Sequence, residues 1–306
     1  MFRTLIVTQG ERIRTEQNWL VVETEDGMNK IPIEDIYSIV LDNNRSTISS
    51  SAVTAITLAG AHILVCNEKH MPQSVIYPLN THYRPLNVVK KQLEMSDEFK
   101  DEIWQLIIQG KIRNQARVME LCRIPREKSG RMYRFAEEVI PGDRGNREGI
   151  AAKWFFRAIY GSAFIRHTDD AINAALNYGY AVIRSAVGKT LTAYGYNCVL
   201  GLHHINEKNP FNLADDMMEP LRPMVDFWVD HNFEELAGSL SQDNRKELVN
   251  LINQPIWQEN KRMSLRNAID RYISSLTTAI ECQNPKFIKI PMIIGINAQM
   301  GDKGDE

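Results

Sequence analysis

The pattern of apolar residues changes once along this chain, and the change limits what it can fold into. Up to about residue 78 they come in short β-prone runs, at 4–8, 19–24, 36–41, 62–66 and 74–77. Turn signals such as Gln9-Gly10, Asp26-Gly27 and Asp42-Asn43-Asn44 separate them. One helix interrupts the series: Ser49, Ser50 and Ser51 offer N-caps, and Val53, Ile56, Thr57 and Gly60 follow at helical spacing. Beyond residue 93 the apolar residues recur every three or four positions. Ile112, Ala116 and Met119 form one stripe, and Ile172, Leu176, Tyr180, Ile183 and Val187 another. Pro223 opens a further helix carrying Val225, Trp228 and Val229, and a last one is predicted over 264–280. The reading is α+β: a small β-rich N-terminal domain (1–78), a linker (79–93) with Pro85 and little periodicity, and a larger all-α domain (94–300). The tail 301–306 is expected to be disordered.

Hydrophobic residues make up 43% of the 306, enough for a full core. No apolar run approaches the ~18 residues of a membrane span. The start of the chain is too short and too soon polar for a signal peptide. Cys66, Cys122, Cys198 and Cys282 are scattered, with no paired spacing, which fits reduced thiols in a cytoplasmic protein. The net charge of −2 hides a segregation. Residues 111–166 hold thirteen bases and six acids, and residues 207–248 hold ten acids and four bases. A phosphate backbone suits the first stretch and a cation the second, although solvated helix surfaces account for the counts equally well.

Three segments carry residues able to bind a metal. Residues 141–152 read Pro-Gly-Asp-Arg-Gly-Asn-Arg-Glu-Gly-Ile-Ala-Ala and place Glu148 at a helix start, with Asp143 and Asn146 as possible caps. A glutamate there commonly just complements the helix dipole. Gly149, a poor helix former, signals close approach to the backbone. Gly201 is followed by His203 and His204, between which spacing alone does not choose. Asp216 and Glu219 share a helix face just before Pro220, so their charges repel unless a cation or a base such as Arg222 neutralises them. Two carboxylates and an imidazole suit a divalent ion with open positions, and hence phosphodiester chemistry. Asn173 and Asn177, with Gly179 in mid-helix, are locally inconsistent and mark either tight packing or a substrate contact. There is no Gly-rich phosphate loop, G-x-S-x-G or Cys/His nucleophile pair, so ATP use and acyl transfer have no support.

Together these segments resemble the CRISPR-associated integrase family, the catalytic subunit of the spacer-acquisition complex. The family pattern is a glutamate in an E-G-x-x-A helix, then G-x-x-H, then D-L-x-E/D followed by R-P. Its histidine lies fifteen residues before the last acid, which selects His204. The likeness covers essentially the whole chain, and the 209–216 stretch Asn-Pro-Phe-Asn-Leu-Ala-Asp-Asp is most like the type II branch. The resemblance implies a metal-dependent DNA integrase and endonuclease that inserts captured fragments into a CRISPR array, in a prokaryotic cytoplasm. Glu148, His204 and Glu219 would hold Mg2+ or Mn2+, with Asp216, Asn177 and Arg222 around them. Arg113, Arg117 and Lys153 are expected to contact double-stranded DNA. Implied partners are a second copy joined through the β domain, a small ferredoxin-like subunit in a hetero-hexamer, the type II effector nuclease and a DNA-end-binding ring protein. The alternatives are a DNA-binding scaffold of the same complex, and a metal-dependent phosphohydrolase acting on small phosphoesters.

Overall fold

The computed structural model of the chain describes residues 3–9, 12–24, 27–79, 82–166, 168–236 and 238–295. The expected tail, 301–306, lies outside these residues. The N-terminal part holds β1 (Arg3–Val7), β2 (Arg12–Glu16), β3 (Trp19–Thr24), β4 (Gly27–Pro32), β5 (Ile36–Leu41) and β6 (Thr47–Ile48). Helix α1 (Ser50–Leu58), β7 (His62–Cys66) and β8 (Pro72–Ile76) complete it. Strands β1, β5 and β7 run parallel with β8 antiparallel at the edge, and β4-β3-β2-β6 form a second sheet. Strands β2 and β4, like the two-residue β6, are additions to the expected set. Their faces are largely solvated, with Arg12, Arg14 and Glu16 on β2 and Asn29 and Lys30 on β4, so neither makes an apolar run. Cross-strand pairs hold them: Arg14 Nε lies 2.7 Å from Glu23 and Lys30 Nζ 2.6 Å from Glu16. The N-cap expected for α1 is Ser49, whose hydroxyl accepts from the Ala52 N–H.

Apolar faces decide how the sheets sit. Ile13, Leu20 and Val22 of the second sheet pack on Ile39, Leu41 and Ile63 of the first, with Ala52 and Ile56 of α1. The first sheet is apolar on its other face too, where Tyr37, Val40, Leu64 and Cys66 join the helical core. A sheet of largely parallel strands covered on both sides reads as continuous hydrophobic runs, which is why β5 and β7 were conspicuous in the sequence. Polar contacts cross the same boundary. Arg245 Nε reaches buried Asp42 at 2.8 Å, and Tyr77 donates to the Ser185 carbonyl at 3.0 Å.

The segment expected to be a linker contains a helix, α2 (Pro85–Glu94). Pro85 stands at its first position, where a missing N–H costs nothing, so the residue that reads as a break is a start. Buried Gln92 anchors it, donating to the carbonyls of Asn197 (2.9 Å) and Leu200 (2.7 Å). Then follow α3 (Asp97–Leu121), α4 (Arg126–Glu137), α5 (Arg147–Tyr160), α6 (Ala171–Ala193), α7 (Asn212–Met218), α8 (Arg222–His231) and α9 (Gln242–Asn250). A short hairpin, β9 (Pro255–Gln258) with β10 (Lys261–Ser264), precedes α10 (Leu265–Glu281) and is the one strand pair in this helical region among the described residues. Helices α3 and α6 run through the middle, and the stripes Ile112-Ala116-Met119 and Leu176-Ile183-Val187 are fully buried. No described helix is long and apolar enough to cross a membrane.

Gly179 belongs to packing. A Cβ built there would lie 2.5 Å from Val225 Cγ1 on α8 and 3.1 Å from Leu248 Cδ2 on α9. Gly179→Ala should therefore lower the unfolding free energy by about 1–3 kcal/mol in urea, although alanine is the better helix former. Pairing it with Val225→Ala should remove part of the clash, so the double variant loses less than the sum of the singles. A Gly179→Ala protein as stable as the parent would contradict the close α6–α8 contact.

Candidate metal centre

Glu148 sits in the first turn of α5, and the preceding turn explains its placement. Asn146 takes a left-handed φ of 48° and its Oδ1 accepts from the Gly149 N–H at 3.2 Å. The Asp143 carboxylate accepts from the N–H groups of Arg147 (2.8 Å) and Glu148 (3.0 Å). Both residues singled out as caps act as caps. The close approach signalled by Gly149 is made by the cap itself, since a Cβ there would stand 2.6 Å from Asn146 Oδ1.

His204 comes from the loop between α6 and α7. Gly201 permits the loop to fold back, because a Cβ at that position would lie 2.2 Å from the His204 carbonyl oxygen. Buried Asp216 then gathers the loop. It accepts from the backbone N–H groups of Leu202 (2.6 Å), His203 (3.1 Å) and His204 (3.1 Å), and its Oδ1 faces His204 Nδ1 at 2.6 Å. That contact keeps the proton on Nδ1 and leaves Nε2 as the nitrogen able to bind a ligand. It also raises the His204 pKa; burial opposes this, and the charges of Asp216 and Glu219 reinforce it. The His203 ring stacks on Trp104, with centroids 4.3 Å apart and planes 3° from parallel.

Glu219 lies at the break between α7 and α8, in a 3-10 turn (Glu219–Leu221) that Pro220 helps to set. Asn114 on α3 fixes the turn by donating to the Pro220 carbonyl at 2.7 Å. Asp216 and Glu219 do not share one cation: the first serves the histidine loop, and the second meets Lys111 and Arg222. Arg222 Nε is 2.8 Å from Glu219 Oε1. Lys111 Nζ is 2.5 Å from Glu219 Oε2 and 2.6 Å from Glu148 Oε1. The ammonium donates to Glu148 and ion-pairs with the buried Oε2 of Glu219. Burial pushes the Glu219 pKa up, but Arg222 and Lys111 outweigh it and the carboxyl is held below its ordinary value. For Lys111 burial works against the charge, and Glu219 and Glu148 more than offset it, so its pKa rises. Sequence reading missed Lys111, yet a signal was present. It continues the buried α3 stripe of Trp104, Ile107 and Ile108, where a lysine needs a partner.

The donor set fits a divalent ion in chemistry: two carboxylates and one imidazole nitrogen, with the carboxylates already converging on one positive charge. The donors remain apart, however. Among the described residues, the metal-capable group whose ligand atoms all lie within 4.8 Å is Cys122, Asp230 and His231, at the far ends of α3 and α8. Burial and neighbouring Asp230 push the Cys122 thiol pKa up.

The other predicted site residues are placed as follows. Asn177 does not touch the centre, and its Oδ1 accepts from Arg166 at 3.1 Å. It shares an open depression with Arg166, Arg184, Asp215 and Arg222. Arg113 and Lys153 are exposed. Arg117 pairs with Glu120 at 3.2 Å and lines a hollow with Arg123 and Arg126. Part of the charge segregation is internal, because Lys111 of the basic stretch meets Glu219 of the acidic one.

The family model described as CRISPR associated protein Cas1 matches residues 4–140 and 165–237. The chain is 37% identical over 295 residues to a CRISPR-associated endonuclease Cas1 of Neisseria meningitidis serogroup C (strain 8013), covering 96% of this chain and 97% of that one. In fold it is similar to a casposase bound to integration product, with a TM-score of 0.74, 16% identity and 92% of each chain covered. It is also similar to a Cas6-RT-Cas1–Cas2 complex, with a TM-score of 0.74, 16% identity, and 96% of this chain but 36% of that chain covered. These likenesses put the chain among the CRISPR-associated proteins. It belongs to the Cas1 family.

The His204–Asp216 pair carries a pH dependence. Its stabilisation is full below the unfolded imidazole value, about 6.5, and is lost as pH rises through the raised folded value. Asp216→Asn should move the His204 titration midpoint down, as followed by the NMR signals of the imidazole ring. An unmoved midpoint would show that Asp216 does not act on that ring.

Proposed function

We propose that the chain is a metal-dependent DNA integrase and endonuclease, in which Glu148, His204 and Glu219 hold Mg2+ or Mn2+. The observation that carries this reading is the convergence of two carboxylates, Glu148 and buried Glu219, on one ammonium at 2.6 and 2.5 Å, beside a histidine whose Nδ1 is held by Asp216 so that Nε2 can bind a ligand. Family membership supports the reaction class, through a relative named as an endonuclease and a similarly folded casposase bound to integration product. The ion, when bound, supplies a Lewis acid for the scissile phosphate and the leaving 3′ oxygen. Asp216 orients His204, Asn114 holds the Glu219 turn against α3, and Arg222 keeps Glu219 ionised. In strand transfer the 3′-hydroxyl of the captured fragment forms a new P–O bond at the repeat border. The repeat's own P–O3′ bond breaks, and the proton passes to the departing oxygen through solvent. The number of phosphodiester bonds is unchanged, so neither ATP nor a covalent enzyme intermediate is needed.

The substrate is double-stranded DNA, carried past the exposed bases Arg113 and Lys153 and the half-buried Arg117. A second copy joins through the β-rich part, and a small ferredoxin-like subunit bridges such dimers. The type II effector nuclease and a DNA-end-binding ring protein act with them, in the cytoplasm.

Strand transfer on a branched duplex with a free 3′-hydroxyl tests the reading. The parent should rejoin strands with Mn2+ and not with EDTA. His204→Ala should lower the rate by roughly 100-fold or more. His203→Ala removes a ring stacked on Trp104 and should cost stability rather than chemistry; if it is the inactive variant, the wrong histidine has been assigned. Duplex binding without metal-dependent transfer by the parent would favour the scaffold reading, and turnover of small phosphoesters without DNA the phosphohydrolase. Changing Arg113 and Arg117 together to Glu should weaken duplex binding and reduce the slope of log K against log salt by roughly two. An unchanged slope would take this helix face out of the DNA path.

A further inference from the structure

Lys111 occupies the place where a shared ligand of Glu148 and Glu219 belongs. Its ammonium touches one oxygen of each carboxylate, at 2.6 and 2.5 Å, and it is itself buried on α3. Among the described residues its nitrogen has no other acceptor within hydrogen-bonding distance. A divalent ion bound by both carboxylates sits about 2.0–2.2 Å from each oxygen, in the same gap. Two cations cannot share that space. The separation of the three donors agrees, since they have not closed around a common point while the lysine stands between the carboxylates. With the lysine in place, the two acids are neutralised and held in position before any metal arrives.

We propose that Lys111 is a resident counter-cation that must leave the gap between Glu148 and Glu219 for a divalent ion to bind, and so sets the metal affinity of the centre. This rests on the reading of Glu148, His204 and Glu219 as metal ligands. The exchange is one of charge: one ammonium leaves the pair of carboxylates and a doubly charged ion takes its place, with no covalent bond made or broken. The displaced ammonium remains on a flexible four-carbon stem, available to an anionic phosphate oxygen.

Mn2+ titration of the full-length protein, read by calorimetry and by melting temperature, tests the exchange with Lys111→Met and Glu219→Gln beside the parent. The expected result is that Lys111→Met binds Mn2+ about tenfold more tightly than the parent. It should also melt lower in EDTA and gain more on adding Mn2+. Equal or weaker binding by a folded Lys111→Met overturns the proposal. Should that variant not fold without metal, lysine acetylation of the parent read by mass spectrometry decides. Lys111 protected in EDTA and labelled in Mn2+ supports the exchange, and any other labelling pattern overturns it. Equal Mn2+ binding by the parent and Glu219→Gln would instead remove the metal reading itself, and Lys111 with it.

Discussion

A lysine ammonium between two carboxylates, inside the protein, is the interaction around which the helical region is arranged. Burying one charge costs several kcal/mol, and burying both Lys111 and Glu219 is tolerable only if each finds its partner at close range. The requirement reaches far along the chain. Helix α3 must present Lys111 inward, the Asp143–Asn146 turn must start α5 at the right place to offer Glu148, and α7 must break at Glu219. Asn114, one turn from Lys111, ties the break to the same helix, so the lysine and the glutamate it meets are referenced to a single rigid rod. Arg222 then adds a second positive group on the far oxygen of Glu219. Losing Lys111 would leave the buried Glu219 with Arg222 alone to compensate it, whereas part-exposed Glu148 could turn to water.

The histidine loop is built on a different principle. Here a buried carboxylate, Asp216, replaces secondary structure as the organiser, collecting three successive backbone N–H groups as well as the ring. Such a loop tolerates only glycine at 201, because the His204 carbonyl returns to within 2.2 Å of where a side chain would begin. The spacing from glycine to histidine is thus a statement about backbone geometry before it is one about chemistry.

Much of this was legible without coordinates, and what was not follows a pattern. Buried elements announce themselves: β5 and β7 as apolar runs, α6 by its stripe, α10 to within a residue. Strands β2 and β4 did not, because their side chains mostly face water and only their pairing to β3 defines them. Helix α2 was hidden by Pro85, whose meaning reverses between the interior and the first position of a helix. At the centre, the capping roles of Asp143 and Asn146 could be read locally. The part played by Lys111 could not, because it depends on which residues thirty-seven and more positions away come to face it. Gly149 and Gly179 were both noticed as anomalies, and in both the neighbour that explains them is the protein itself.

The sheet of β1, β5, β7 and β8 is shared between two cores, one toward α1 and one toward the helices. The buried Asp42–Arg245 pair and the Tyr77–Ser185 contact bridge the same boundary and tie the β-rich part to the helices. A force on the outer sheet would therefore reach the helical region through packed side chains rather than through a tether. The distance from that sheet to Lys111 and Glu219 is then a property of the protein interior, as hard to stretch as a core is to expand.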